Sequence, residues 1–113
     1  MTLTNTYFMI GIGGIGMSAI AFHLIENGAS VWGYDKVESP ITRMLSDVGV
    51  HIMYEPSIKA IPEEVKHINV EIIYTAAISK RNPLWKFFDL QGNKMYKRAA
   101  FLGKICNDKK TFA

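Results

Sequence analysis

The sequence predicts an α/β fold: a parallel five-stranded sheet in the order 3-2-1-4-5, with helices on both faces. Three observations carry this expectation. Short apolar runs alternate with helical patterns along the whole chain. The connections between them are short, so right-handed crossovers lay the strands parallel and bury both faces of the sheet. The first apolar run ends in a glycine-rich turn that opens a helical pattern.

Tyr7 to Ile12 is a short apolar run closed by glycines and reads as a buried parallel strand. From Gly14 the apolar residues Ile15, Met17, Ala19, Ile20, Phe22, Leu24 and Ile25 form the broad face of a helix that Gly28 stops. Ala29 to Tyr34 is a second strand, closed by Asp35. Ser39 and Pro40 supply an N-cap and a first helical residue, and Ile41, Met44, Leu45 and Val48 mark the buried side of that helix. After Gly49, Val50 to Met53 forms a third strand. Residues 55–66 carry Ile58, Ile61 and Val65, enough for a short turn or helix that Pro62 interrupts. Val70 to Thr75 is a fourth strand, with Glu71 out of pattern near its start. Asn82-Pro83 opens a helix that runs to Gly92, Lys94 to Lys97 is a fifth strand, and Ala99 to Ile105 is again helical. Asn107 to Lys110 reads as a polar break. Thr111 to Ala113 reads as the start of a further strand, so residues 1–110 form one domain and 111–113 lead out of it.

At 113 residues the chain has room for a single domain. Hydrophobic residues make up 49% and charged residues 20%, which excludes a disordered or fibrous chain. The formal charge of +3 suits a small polyanion but does not by itself point to nucleic acid. Cys106 is the only cysteine, so neither an intrachain disulfide nor a cysteine-only metal site is available and a reducing compartment is expected. No apolar stretch approaches the length of a membrane span, and no signal-peptide pattern opens the chain. No membrane or nucleic-acid partner is therefore expected.

Gly11-Ile12-Gly13-Gly14-Ile15-Gly16 satisfies G-x-G-x-x-G, and its place between a strand and a helix is what gives the pattern weight. Gly11 suits the tight turn, Gly13 admits a diphosphate close to the backbone, and Gly16 lets the helix pack on the sheet. Free N–H groups at the helix start then face the phosphate oxygens. A tight turn that binds nothing would not require four glycines in six positions. Ser18 either donates to a phosphate or bonds to a carbonyl of the preceding turn. Asp35, 19 residues after Gly16, is placed to accept from ribose hydroxyls, or else is a solvated turn aspartate. A Walker A loop, an H-E-x-x-H pair and a serine triad are all absent from the sequence. His23 reads as a structural histidine, Cys106 as unreactive, and Lys109-Lys110 as a solvated turn. These residues allow any nucleotide that crosses the carboxyl edge of the sheet, and an NAD(H)-sensing module is among the readings left open.

The run from Gly11 to Ser18 also resembles the opening of the Mur ligases. So do, in order, Gly33-Tyr34-Asp35, Ile41 to Leu45 with Gly49, Thr75-Ala76-Ala77-Ile78 with Asn82-Pro83, and Lys97-Arg98-Ala99 with Leu102. The chain departs from the commoner pattern at Tyr34, Glu55-Pro56 and Ala100. The resemblance implies a Rossmann-like domain that binds the UDP part of UDP-N-acetylmuramate in a cytoplasmic enzyme of peptidoglycan synthesis. It implies that the parent joins L-alanine, or another amino acid or peptide, to a muramyl carboxylate with ATP and magnesium. Those cofactors, and the catalytic groups, would belong to central and C-terminal domains of the parent chain. The residues carried over are Gly11, Gly13, Gly14, Ile15 and Gly16 at the diphosphate, with Ser18 secondary. Asp35 faces the uridine side, Thr75, Ala76 and Ala77 line the crevice, and Arg98 supports either an anionic part of the substrate or only the domain edge. No metal site and no catalytic residue is expected in this chain.

Overall fold

The computed structural model describes the backbone of residues 5–108 and the side chains of residues 5–103. The Cys106 side chain, the Lys109-Lys110 turn and the strand start at 111–113 lie outside the described residues. The elements follow the expected alternation: β1 (Thr6–Ile10), α1 (Met17–Glu26), β2 (Ser30–Tyr34), α2 (Pro40–Asp47), β3 (His51–Met53), β4 (Glu71–Tyr74), α3 (Pro83–Gln91), β5 (Met95–Lys97) and α4 (Arg98–Asp108). All four strand pairings are parallel, and the order across the sheet is β3-β2-β1-β4-β5. This is a Rossmann-like α/β sheet.

Alternation along β1 divides the core in two. Tyr7 and Met9 point into a cluster with Met17, Ile20 and Leu24 of α1, Leu45 of α2 and Phe101 of α4. Phe8 and Ile10 point the other way, to Leu84 and Phe88 of α3 and to Ile61 and Val65. Both faces of a central strand are thus dry, as a parallel sheet requires. Phe8 and Phe88 pack with ring centroids 5.2 Å apart.

Two helix starts behave as their sequences dictate. Ser39 and Thr42 form a reciprocal capping box on α2 with Pro40 in its first turn. The Asn82 carboxamide oxygen accepts from the Leu84 and Trp85 N–H groups at the start of α3, and Gly92 closes that helix in a left-handed conformation.

The differences from the sequence expectation lie at element ends. The first strand stops at Ile10, because Gly11 and Ile12 both donate N–H to the Tyr34 carbonyl and leave the ladder. Helix α1 begins at Met17, since the glycines before it form the turn itself. Residues 55–66 hold two single 3-10 turns, Ile58–Ala60 and Glu63–Val65, on either side of Pro62. Helix α4 runs on through Asn107 and Asp108, where a polar break was expected.

Candidate nucleotide-binding edge

The strand register places the site. Ile10 is level with Tyr34 and with Tyr74, Tyr34 is level with Met53, and Tyr74 is level with Lys97. The next residue of each strand therefore leaves the carboxyl edge at the same height. In sheet order these residues are Tyr54, Asp35, Gly11, Thr75 and Arg98. Strands β1 and β4 are neighbours whose connections run to opposite sides, which makes a crevice between their following loops.

The glycine turn is ordered by backbone bonds. Gly14 N–H donates to the Gly11 carbonyl at 3.1 Å, and the Met17 and Ser18 N–H groups both donate to the Gly14 carbonyl. Gly13 N–H donates to Asp35 Oδ2 at 2.8 Å, while Asp35 Oδ1 accepts from Val37 N–H at 3.1 Å. The N–H groups of Ile15 and Gly16 have no acceptor among the described residues. Gly16 caps α1 with φ of +86° and offers no side-chain cap, so no side-chain acceptor meets the positive end of the helix dipole. Ile15 projects from the turn 93% exposed.

Gly13 lies in a slot. A Cβ there would stand 2.8 Å from Asp35 Oδ2 and 2.8 Å from Thr42 Cγ2, so any side chain would force one of these walls to shift. Thr42 is fully buried, although it is polar.

Arg98 heads α4 and reaches across the turn. A Cβ at Gly16 would meet its Nη1 at 3.1 Å and its Cδ at 3.3 Å. The guanidinium thus lies over a residue whose N–H has no acceptor among the described residues. On the β4 side, a Cβ at Gly11 would stand 3.8 Å from Thr75 Oγ1 and 3.5 Å from Ile78 Cδ1. Ile78 N–H donates to the Thr75 carbonyl, closing a turn in which Ala76 and Ala77 are exposed.

The structure thus brings together Gly11, Gly13, Gly14, Ile15, Gly16, Asp35, Thr75 and Arg98 at one edge. The Ala76-Ala77 turn stands beside them. Ser18 is half-buried in the first turn of α1, and its hydroxyl has no hydrogen bond among the described residues. Sequence reasoning missed Thr42, Tyr54 and Ile78 as neighbours of this edge. The Ser39-x-x-Thr42 spacing of a capping box was a signal for Thr42. Nothing in the sequence singled out Tyr54. Burial, and then the Asp35 carboxylate beside it, push the Tyr34 phenol above its ordinary range.

Among the described residues, no three His, Cys, Asp or Glu side chains are grouped to hold a metal. No described helix is long and apolar enough to cross a membrane.

Hydrogen-bond donors and a guanidinium thus converge at the carboxyl edge of a Rossmann-like α/β sheet. The chain matches the model described as Mur ligase family, catalytic domain, over residues 6–110, and it belongs to that family. It is 44% identical over 106 residues to UDP-N-acetylmuramate–L-alanine ligase of Caldicellulosiruptor bescii, covering 92% of this chain and 22% of that protein. With the same-named enzyme of Cytophaga hutchinsonii it shares 38% over 112 residues, covering 98% and 24%. The crystal structure of UDP-N-acetylmuramate-alanine ligase from Thermotoga maritima superposes with a TM-score of 0.83 at 27% identity, covering 96% and 24%. The chain thus spans about a quarter of the length of these relatives.

Proposed function

We propose that this chain binds the UDP part of UDP-N-acetylmuramate, as the substrate-holding domain of an enzyme that ligates L-alanine to it. The observation that carries the reading is the Arg98 guanidinium over Gly16, at the uncapped start of α1. Two N–H groups without an acceptor among the described residues, a helix dipole and the Arg98 guanidinium converge where a diphosphate would lie. Gly11, Gly13 and Gly14 form the close backbone wall of this site, while Ile15 and Gly16 supply its donors. Asp35 keeps lone pairs for ribose hydroxyls after accepting from Gly13 and Val37. Thr75, Ala76 and Ala77 line the crevice on the sugar side, and Ser18 stands as a secondary donor.

In the proposed parent reaction, ATP activates the muramyl carboxylate as an acyl phosphate and the amine of L-alanine displaces phosphate. ATP and magnesium are assigned to the central and C-terminal domains of the longer protein, and the reaction to peptidoglycan synthesis in the cytoplasm. This chain's part is to hold and orient the nucleotide. Its 113 residues alone should form no ADP from ATP, L-alanine and UDP-N-acetylmuramate; ADP formation dependent on both co-substrates would refute that part.

Calorimetric titration with UDP-N-acetylmuramate, UDP and NADH tests the binding reading. The UDP ligands should bind and NADH should not. Binding of NADH alone would favour a dinucleotide-sensing module instead.

A further inference from the structure

Tyr54 occupies the β3 place in the row of residues that leave the carboxyl edge, two strands from the glycine turn. Its hydroxyl donates to Thr42 Oγ1 at 3.0 Å, although the two residues lie 12 apart in sequence. Thr42 Oγ1 also accepts from Ser39 N–H at 2.8 Å and donates to the Ser39 carbonyl at 3.0 Å. A hydroxyl has one hydrogen and two lone pairs, so Thr42 is saturated and its rotamer is determined. Its remaining arm, Cγ2, is then the wall that faces Gly13.

The opposite wall is anchored from the same strand end. Asp35 N–H donates to the Met53 carbonyl at 3.1 Å, and the Asp35 carboxylate holds Gly13 N–H. Consecutive residues Met53 and Tyr54 therefore hold the two sides of the slot, one through Asp35 and the other through Thr42. The geometry points to Tyr54 as a positioning residue for the glycine turn. Its hydroxyl, acting through Thr42, keeps Gly13 against Asp35 and so presets the turn for a diphosphate. This deepens the UDP-sugar reading and rests on it for the identity of the ligand.

Tyr54→Phe removes only the hydroxyl of a residue that is 36% exposed, so the core is untouched. Two quantities are compared with the unaltered chain: amide hydrogen exchange at Gly13, Phe8 and Met9, and the Kd for UDP-N-acetylmuramate. Exchange at Gly13 should rise roughly fivefold, the factor that one ordinary hydrogen bond supplies, with Phe8 and Met9 unchanged. The Kd should rise by a similar factor.

Unchanged exchange at Gly13, or equal acceleration at Phe8 and Met9, overturns the proposal, because a tyrosine that merely steadies the fold acts on all three. Faster exchange at Gly13 with an unchanged Kd overturns it too. If the unaltered chain does not bind the UDP-sugar, the functional reading fails, and exchange at Gly13 alone still decides the brace. Thr42→Ser provides a second route, since it keeps the hydroxyl bonds and deletes the Cγ2 wall. It should accelerate Gly13 selectively as well, and no change there would sink the idea.

Discussion

Asp35 Oδ2 accepts the Gly13 N–H at 2.8 Å, so the acid at the end of β2 grips the turn that follows β1. The two residues are 22 apart in sequence and are made neighbours by the parallel pairing of β1 with β2. The carboxylate thus organises the glycine turn, a role separate from the ribose contact proposed for it.

Asp35→Ala leaves the Gly13 and Val37 N–H groups without their acceptor. Loss of two charge-assisted bonds should lower stability by about 1–3 kcal/mol in urea denaturation and weaken UDP-N-acetylmuramate binding in calorimetry. Asp35→Asn keeps the shape and one carbonyl acceptor, so it should fall between the two. Full stability of Asp35→Ala would show that the grip is not needed for the fold.

Gly13→Ala places a methyl group 2.8 Å from both Asp35 Oδ2 and Thr42 Cγ2. Overpacking of this kind costs about 1–3 kcal/mol, and here it also pushes apart the walls of the slot. The midpoint of urea denaturation should fall and affinity for the UDP-sugar should be lost. Gly13→Val should do the same more severely. Unchanged affinity would remove the glycine turn from the binding site.

Arg98→Ala removes the cation over Gly16 but leaves the strand register and both cores in place. The expected loss is roughly tenfold or more in UDP-N-acetylmuramate affinity, as for a charge-assisted contact, with a shallower dependence of affinity on salt. Arg98→Lys should restore charge without the planar fork, and so only part of the affinity. Wild-type affinity and salt slope in Arg98→Ala would return Arg98 to a structural place at the domain edge.

Tyr34 carries an alkaline signature. Its phenol is raised above the ordinary value of 10.0, first by burial and then by Asp35. The unfolded chain therefore loses this proton at lower pH than the folded one. The stability so contributed is fully present below pH about 10 and is lost as pH rises toward the folded value. Tyr34→Phe should flatten the fall in stability above pH 10, measured by urea denaturation across pH 9 to 12. An identical alkaline slope in the variant would exclude Tyr34 as its source.

Much of the architecture was legible along the chain because its signals are local. An apolar run followed by four glycines in six positions announces a strand, a turn and a helix without any partner. Ser39-Pro40 and Asn82-Pro83 mark helix starts through bonds made within a few residues. Segment 55–66 was less legible, because Pro62 breaks a pattern whose apolar residues Ile61 and Val65 serve a distant core.

Of the candidate site, the sequence by itself determined its glycine turn, the acid at the end of β2 and the parallel order that brings β1 beside β4. Only the tertiary structure decided what each group does there. It turned the Gly13 N–H to Asp35, left those of Ile15 and Gly16 without an acceptor among the described residues, laid Arg98 over Gly16 and joined Tyr54 to Thr42. The physical reason is register. Residues far apart in the chain meet because five parallel strands end at one height, and a hydrogen bond depends on that height to within a fraction of an ångström. Periodicity in a sequence reports which face a side chain takes, but not which partner waits across the edge.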